Sequence, residues 1–121
     1  MNIIQESLAN NVERIAPDGR LDAITVPALE AVLRDYLGAA RVRLVLDLSA
    51  VTYISSSGLR ALLQARKQAQ AAGGDVVLCG MNPRVREVFE MIGFTSLFKV
   101  FDRAAEAAAA FDQGGHTNSA T

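Results

Sequence analysis

The segment from Val45 to Leu59 constrains this chain most, because an apolar run leads directly into three serines, a glycine and a helical pattern. The apolar run is typical of a strand that is covered on both faces. Ser55, Ser56 and Ser57 then fall at the start of a helix, where backbone N–H groups and the helix dipole favour negative charge. Such a junction can accept a phosphate group without damage to the fold. That property indicates a switch rather than a catalyst.

Composition is that of one globular domain with no obvious affinity for nucleic acid or membranes. Half of the 121 residues are hydrophobic and the net charge is −1, so the chain can bury a core and is not expected to be disordered. Acidic and basic residues are interspersed, which argues against direct nucleic-acid binding. No apolar stretch approaches the ~20 residues of a membrane span, and no secretion signal is visible. The sequence therefore predicts a cytoplasmic protein without membrane insertion.

Apolar runs and helical periodicities alternate along the chain. Predicted strands are Ile3–Leu8, Val12–Ala16, Arg43–Leu48, Asp75–Cys79 and Leu97–Phe101, with Pro17–Gly19 as a turn. Predicted helices run from a cap at Thr25 to Gly38, from the serines to Ala72, from Asn82 to Gly93, and from Asp102 to about Phe111. This order predicts an α/β fold with a mixed, mostly parallel sheet of four to five strands and about four helices. A single domain is expected over residues 1–112, followed by a disordered tail at 113–121.

Residues for catalysis or metal binding are scarce. The only histidine, His116, lies in the predicted tail, and no Gly-x-Ser-x-Gly motif is present. Cys79 closes an apolar run, where a lone cysteine is more often a buried small hydrophobe than a nucleophile. One histidine and one cysteine cannot supply the usual nitrogen and sulfur ligands of a metal. We therefore predict no enzymatic activity, no catalytic residues, no cofactor and no metal.

Three segments in order resemble the STAS domain family, and more closely the free-standing bacterial anti-sigma factor antagonists. They are GRLDAITVPAL at Gly19–Leu29, DLSAVTYISSSGL at Asp47–Leu59, and Gly73–Gly74 followed by NPRVREVFEMIG at Asn82–Gly93. The resemblance extends from about Val12 to Phe111. It differs from the family pattern at Ser55, where an acidic residue is common, and at Arg20, where the family has glutamate.

The resemblance implies a partner-switching protein. The phosphorylated serine of the family corresponds to Ser56, and the kinase that modifies it is itself the anti-sigma factor. Unmodified protein would bind this serine kinase and free a sigma factor for transcription, and a serine phosphatase would reset the cycle. ATP and Mg²⁺ would belong to the kinase, since this chain lacks a phosphate-binding loop motif. Partner-binding residues implied by the resemblance are Asp22, Ser55, Ser57, Gly58 and Leu59.

Simpler interpretations exist for the same residues. A serine group before an amphipathic helix is often only a cap, and Asp22 could be a solvated loop acid. Gly58 could serve close packing, and Leu59 and Tyr53 could be core residues. On that interpretation the chain is a constitutive STAS adaptor subunit of a signalling scaffold or a lipid-transport complex, without a phosphorylation switch.

Overall fold

Strands and helices alternate along most of the chain, which gives an α/β fold. The computed structural model describes residues 1–111, and the predicted tail at 113–121 lies outside the described residues. The strands are β1 (Asn2–Ser7), β2 (Val12–Leu21), β3 (Arg43–Asp47), β4 (Val51–Ile54), β5 (Asp75–Cys79) and β6 (Val100–Phe101). The helices are α1 (Val26–Gly38), α2 (Ser56–Ala71), α3 (Pro83–Met91) and α4 (residues 104–111), with single 3₁₀ turns at Ala9–Asn11 and Phe94–Ser96.

Strand β2 organises the sheet because it pairs with three neighbours. It lies antiparallel to β1, parallel to β3 along its first half, and parallel to β4 at its end. The strand order is β1-β2-β3-β5-β6, with β4 paired to β2. The predicted mixed, mostly parallel sheet is therefore confirmed. Over residues 1–111 it contains one strand more than expected, because the apolar run after Arg43 breaks at Ser49 and resumes as β4.

The predicted turn at Pro17–Gly19 is wrong, because these residues continue β2. Pro17 pairs with Ile3 of β1, and it lies between the parts of β2 that pair with β3 and with β4. A residue without an N–H is tolerated at such a gap in the ladder. Gly19 has a φ of +100°, and the register with β4 shifts directly after it. The glycine therefore serves a bulge that re-aims the strand rather than a chain reversal.

The core lies on both faces of the sheet. On one face, α1, α2 and α3 contribute Leu29, Leu62 and Phe89, which pack on the leucines and isoleucine of the strands. On the other face, Ala107 of α4 packs on Val12, Val45, Val77 and Cys79. Cys79 is fully buried, as predicted, and burial raises the pKa of its thiol to about 12. The thiolate that a nucleophile requires is therefore scarce at neutral pH.

The end of α1 has a left-handed residue that is not glycine. The helix ends at Gly38, as predicted, but the residue with positive φ is Ala40, at +60°. Its N–H donates to the carbonyl of Leu37, and the N–H of Arg41 donates to the carbonyl of Tyr36. At the end of α2 the corresponding left-handed residue is Gly73, the usual choice.

We expect Ala40→Gly to stabilise the protein by about 0.5–1 kcal/mol, because a Cβ in the left-handed region is costly and glycine removes that cost. Urea unfolding at neutral pH measures the change. Ala39→Gly is the matched control; the φ of Ala39 is −92°, so glycine there should only destabilise. Loss of stability in Ala40→Gly would contradict the assigned conformation.

Candidate functional site

The serine cluster lies where β4 ends and α2 begins. Ser55 has extended backbone angles and is the N-cap of α2, and its Oγ accepts a hydrogen bond from the N–H of Gly58 at 3.3 Å. The N–H of Ser55 donates to the carbonyl of Leu21 at 2.8 Å. The cap is thus tied to the end of β2, which positions the start of α2 relative to the sheet.

The three serines have different surroundings. The Oγ atoms of Ser55 and Ser57 lie 2.8 Å apart and are hydrogen-bonded, and both residues are half-buried. Ser56 is exposed as the first residue of α2, and its hydroxyl has no hydrogen bond within residues 1–111. Ser56 therefore presents the one unengaged hydroxyl among the three serines of this described segment. A phosphate there would lie at the positive end of the helix dipole.

Gly58 and Leu59 lie beneath this surface rather than on it. A Cβ on Gly58 would approach Ile54 Cγ1 to 2.9 Å and the carbonyl oxygen of Leu21 to 3.3 Å. Leu59 is 6% exposed and belongs to the main core cluster. Both residues hold the first turn of α2 against β2 and β4, so any influence on a partner would act through the position of the serines.

Asp22 organises the loop between β2 and α1. Its Oδ1 accepts hydrogen bonds from the N–H groups of Ile24 at 3.0 Å and Thr25 at 3.1 Å. The hydrogen bond from the Thr25 N–H is the main cause that lowers the pKa of Asp22 below its ordinary value. Asp22 is half-buried, with part of its carboxylate open to solvent.

The predicted side-chain cap at Thr25 is wrong. Thr25 already has helical backbone angles, so its hydroxyl cannot reach the N–H groups of the first turn of α1. Its Oγ1 instead donates to the carbonyl of Arg20 at 2.6 Å and accepts from the N–H of Asp22 at 3.0 Å. The hydroxyl thus closes the base of the loop.

Tyr53 is a surface residue, and the prediction that it belongs to the core is wrong. Its side chain is 40% exposed because β4 extends past β3 at the end of the sheet and pairs with β2 alone in the described chain. The Arg20 guanidinium lies 4.3 Å from the centroid of the Tyr53 ring. Such a cation–π contact is worth about 0.5–1 kcal/mol at an exposed site. Arg20 Nε also lies 3.6 Å from Asp22 Oδ2.

A shallow groove connects the Asp22 loop with the serine cluster. Ala23, Val26 and Pro27 line it from the α1 side, while Ser57 and Arg60 line it from α2. Of the predicted residues, Ser57 lines this groove, while Asp22, Ser55 and Ser56 lie next to its lining residues Ala23 and Ser57 in the chain. Arg20, which the resemblance placed on the partner face, contacts both Tyr53 and Asp22. The exposure of Tyr53 and Ile24 on this side was not predicted.

Asp47 supports the site from inside the sheet. It is 7% exposed, and its Oδ1 accepts hydrogen bonds from the N–H and Oγ of Ser49 at 3.0 and 2.7 Å. Its Oδ2 lies 2.9 Å from Nη2 of Arg14. Burial alone would raise the pKa of Asp47, but the bonds from Ser49 and Arg14 outweigh it and the pKa is lowered. Asp47 thereby fixes the turn that places β4. A carboxylate within an apolar strand was the signal for this role.

Neither a metal cluster nor a membrane helix occurs in the described part of the chain. Residues 1–111 contain no group of three or more His, Cys, Asp and Glu side chains arranged to hold a metal ion. None of the helices in the same range has both the length and the apolar character needed to cross a bilayer.

Comparison with known proteins gives one consistent result. The family model of the STAS domain matches residues 9–107. The chain is 44% identical over 93 residues to a Bordetella bronchiseptica protein named as the anti-sigma factor antagonist BtrV. The aligned residues make up 77% of this chain and 80% of BtrV.

Two solved structures show the same fold. One is a Thermotoga maritima protein described as an anti-sigma factor antagonist, with a TM-score of 0.84 and 21% identity over 89% of this chain and 92% of that chain. The other is the Bacillus protein SpoIIAA in its phosphorylated form, with a TM-score of 0.72 and 20% identity over 91% and 99%. The predicted fold class is confirmed.

We expect Ser55→Ala to destabilise the protein by about 1 kcal/mol, because it removes the cap of α2. Ser56→Ala should change the free energy of unfolding by less than about 0.5 kcal/mol, because that side chain is exposed and unbonded. Thermal and urea unfolding of both variants measures the difference. Equal losses in the two variants would contradict the assignment of Ser55 as the cap.

Asp47→Asn should lower the free energy of unfolding at pH 7 by about 1–2 kcal/mol, because the bond to Arg14 loses its charge. The folded pKa of Asp47 lies below the ordinary 3.8, so its contribution is present above that value and is lost as the pH falls through the folded pKa. The gap between wild type and variant should therefore close below pH 4. Asp18→Asn, at an exposed position of β2, is the control. A gap that stays constant with pH would contradict this role.

Proposed function

Because the chain belongs to the STAS domain family, we propose that it is an anti-sigma factor antagonist whose partner binding is controlled by phosphorylation of Ser56. The observation that carries the proposal is the exposed, unengaged hydroxyl of Ser56 at the first position of α2. The unmodified protein binds an anti-sigma factor serine kinase in the cytoplasm and so frees a sigma factor. Phosphorylation by that kinase releases the antagonist, and a serine phosphatase restores it.

The fold tolerates a phosphate on Ser56 for two reasons. Ser55 supplies the cap, so modification of Ser56 removes no hydrogen bond on which α2 depends. A phosphoserine carries about −1.5 to −2 charges at neutral pH, and a negative charge at an exposed helix N-terminus is favourable by roughly 0.3–1 kcal/mol. The modified domain should therefore remain folded.

An interface does not tolerate the same group. Unmatched charge or bulk that faces a partner can cost several kcal/mol, and ~4 kcal/mol corresponds to about a thousandfold loss of affinity. The proposed contact surface contains Asp22, Ser55 and Ser57 around Ser56. Gly58 and Leu59 contribute indirectly, because their close packing against the sheet fixes the position of the first turn of α2 and hence of the serines. Binding would fail long before the fold does.

The relatives support this role. BtrV, at 44% identity, is named as an anti-sigma factor antagonist, and Listeria monocytogenes has a relative at 29% identity named as an anti-sigma-B factor antagonist. SpoIIAA, which shares the fold, is known in a phosphorylated form. The names of these relatives and the geometry of Ser56 together favour a regulatory binding protein rather than an enzyme.

A purified anti-sigma serine kinase with ATP and Mg²⁺ should add one phosphate to the wild type, detected by intact mass, and none to Ser56→Ala. Ser57→Ala is the matched control and should still accept one phosphate. In a calorimetric binding assay, Ser56→Ala should bind the kinase like the wild type, while Ser56→Asp should lose at least about tenfold in affinity.

Other results would redirect the proposal. A phosphate that persists in Ser56→Ala would move the modification to another serine. Equal binding by Ser56→Asp and wild type would refute electrostatic release. Stable binding of a partner with no phosphorylation in any variant would favour the constitutive adaptor.

A further inference from the structure

We propose that Ile24 is a principal contact residue for the kinase and that Asp22 is a positioning residue that presents it. This inference rests on the proposed function and names the part of that surface which recognises the partner. Ile24 is 89% exposed, the most exposed of the large hydrophobic side chains among the described residues. A single exposed apolar residue is ordinary on a protein surface, so the argument depends on how this one is held and where it lies.

The loop that carries Ile24 is held by hydrogen bonds in one conformation. Asp22 Oδ1 accepts from the N–H of Ile24 at 3.0 Å, and the Asp22 carbonyl accepts from the N–H groups of Thr25 and Val26 at 3.1 and 2.9 Å. The Thr25 hydroxyl closes the loop against the carbonyl of Arg20 at 2.6 Å. Because the loop backbone is already ordered, little conformational entropy is lost when Ile24 binds a partner, and a smaller entropy loss gives higher affinity.

The loop that carries Ile24 is connected to the serine cluster. The residue that precedes the loop, Leu21, accepts the hydrogen bond from the N–H of Ser55. Ala23 and Val26, on either side of Ile24 in the chain, line the same groove as Ser57. A partner that docks across this groove to reach Ser56 is therefore expected to meet the loop that carries Ile24.

The neighbouring side chains indicate the chemistry of the partner surface. Tyr53 is 40% exposed beneath the Arg20 guanidinium, and the Arg20 side chain is itself 62% exposed. Asp22 connects these groups to Ile24, because its Oδ1 accepts from the N–H of Ile24 and its Oδ2 lies 3.6 Å from Arg20 Nε. Exposed apolar and aromatic side chains together with arginine are enriched at interface centres. The occupant that fits is a kinase surface with an apolar recess for Ile24 and an acidic group at the rim that faces Arg20.

The first test is the affinity of Ile24→Ala for the serine kinase that binds the wild type, measured by titration calorimetry. We expect a loss of at least about tenfold, with an unchanged melting temperature because the side chain is almost fully exposed. Met91→Ala is the matched control, since Met91 is a 78% exposed apolar residue on α3, and it should bind like the wild type.

The second test separates positioning from direct contact at Asp22. Asp22→Asn keeps the Oδ1 acceptor for Ile24 and Thr25, so its affinity should stay within about threefold of wild type. Asp22→Ala removes the acceptor and should lose about as much as Ile24→Ala. Equal large losses in Asp22→Asn and Asp22→Ala would mean that binding requires the carboxylate charge, directly or through its pair with Arg20, and would overturn the role of Asp22 as the residue that positions Ile24.

The remaining outcomes also decide the inference. If the wild type binds the kinase and Ile24→Ala binds equally well, the inference fails while the proposed function stands. If the wild type binds no anti-sigma kinase, the proposed function fails and the inference fails with it. If sedimentation shows that the wild type alone self-associates and Ile24→Ala does not, the loop is a contact between copies of this chain, and the inference is overturned.

Discussion

The backbone hydrogen bond from Ser55 to Leu21 is the interaction on which the site depends. It connects the start of α2 with the last residue of β2, the strand that pairs with β1, β3 and β4. Both loops of the candidate site begin at this point, one toward Asp22 and one toward Ser56. The strand with the most neighbours in the sheet therefore determines the distance between the proposed phosphorylation site and the proposed recognition loop.

The three serines show how one short sequence can stabilise a helix and still present a free hydroxyl for the proposed regulation. Ser55 caps the helix and Ser57 is hydrogen-bonded to Ser55. The Ser56 hydroxyl makes no hydrogen bond within residues 1–111. A residue that the fold does not need can change its charge without cost to the fold. In the proposed switch the same residue faces outward, so a phosphate there would act on a docked partner with its full electrostatic effect.

Several features of the fold followed from sequence periodicity alone. The apolar stripes of the helices and the buried runs at β3 and β5 are strong signals, because a helix or strand in the core must turn its apolar side chains inward. The errors occurred where local chemistry has two solutions. Proline and glycine at Pro17–Gly19 suit a turn, yet they also suit a gap and a bulge in a strand. Threonine is a common capping residue, but Thr25 has helical backbone angles and its side chain caps no N–H of α1. Its own N–H donates to Asp22 Oδ1, so Asp22 is the residue that organises the start of the helix.

For the site, the chain's own residues placed three serines at the start of a helix, while the roles of Ser56 and Asp22 came from the resemblance to the STAS family and stay predictions. The placement of the serines needs only local information, because a serine before a helical pattern lies near a helix N-terminus in any fold. Tertiary structure decided which serine caps, that Gly58 and Leu59 lie beneath the surface, and that Tyr53 emerges at the end of the sheet. These outcomes depend on the pairing of β4 with β2, a contact between residues some 30 positions apart in the chain, and no local pattern encodes such a distance.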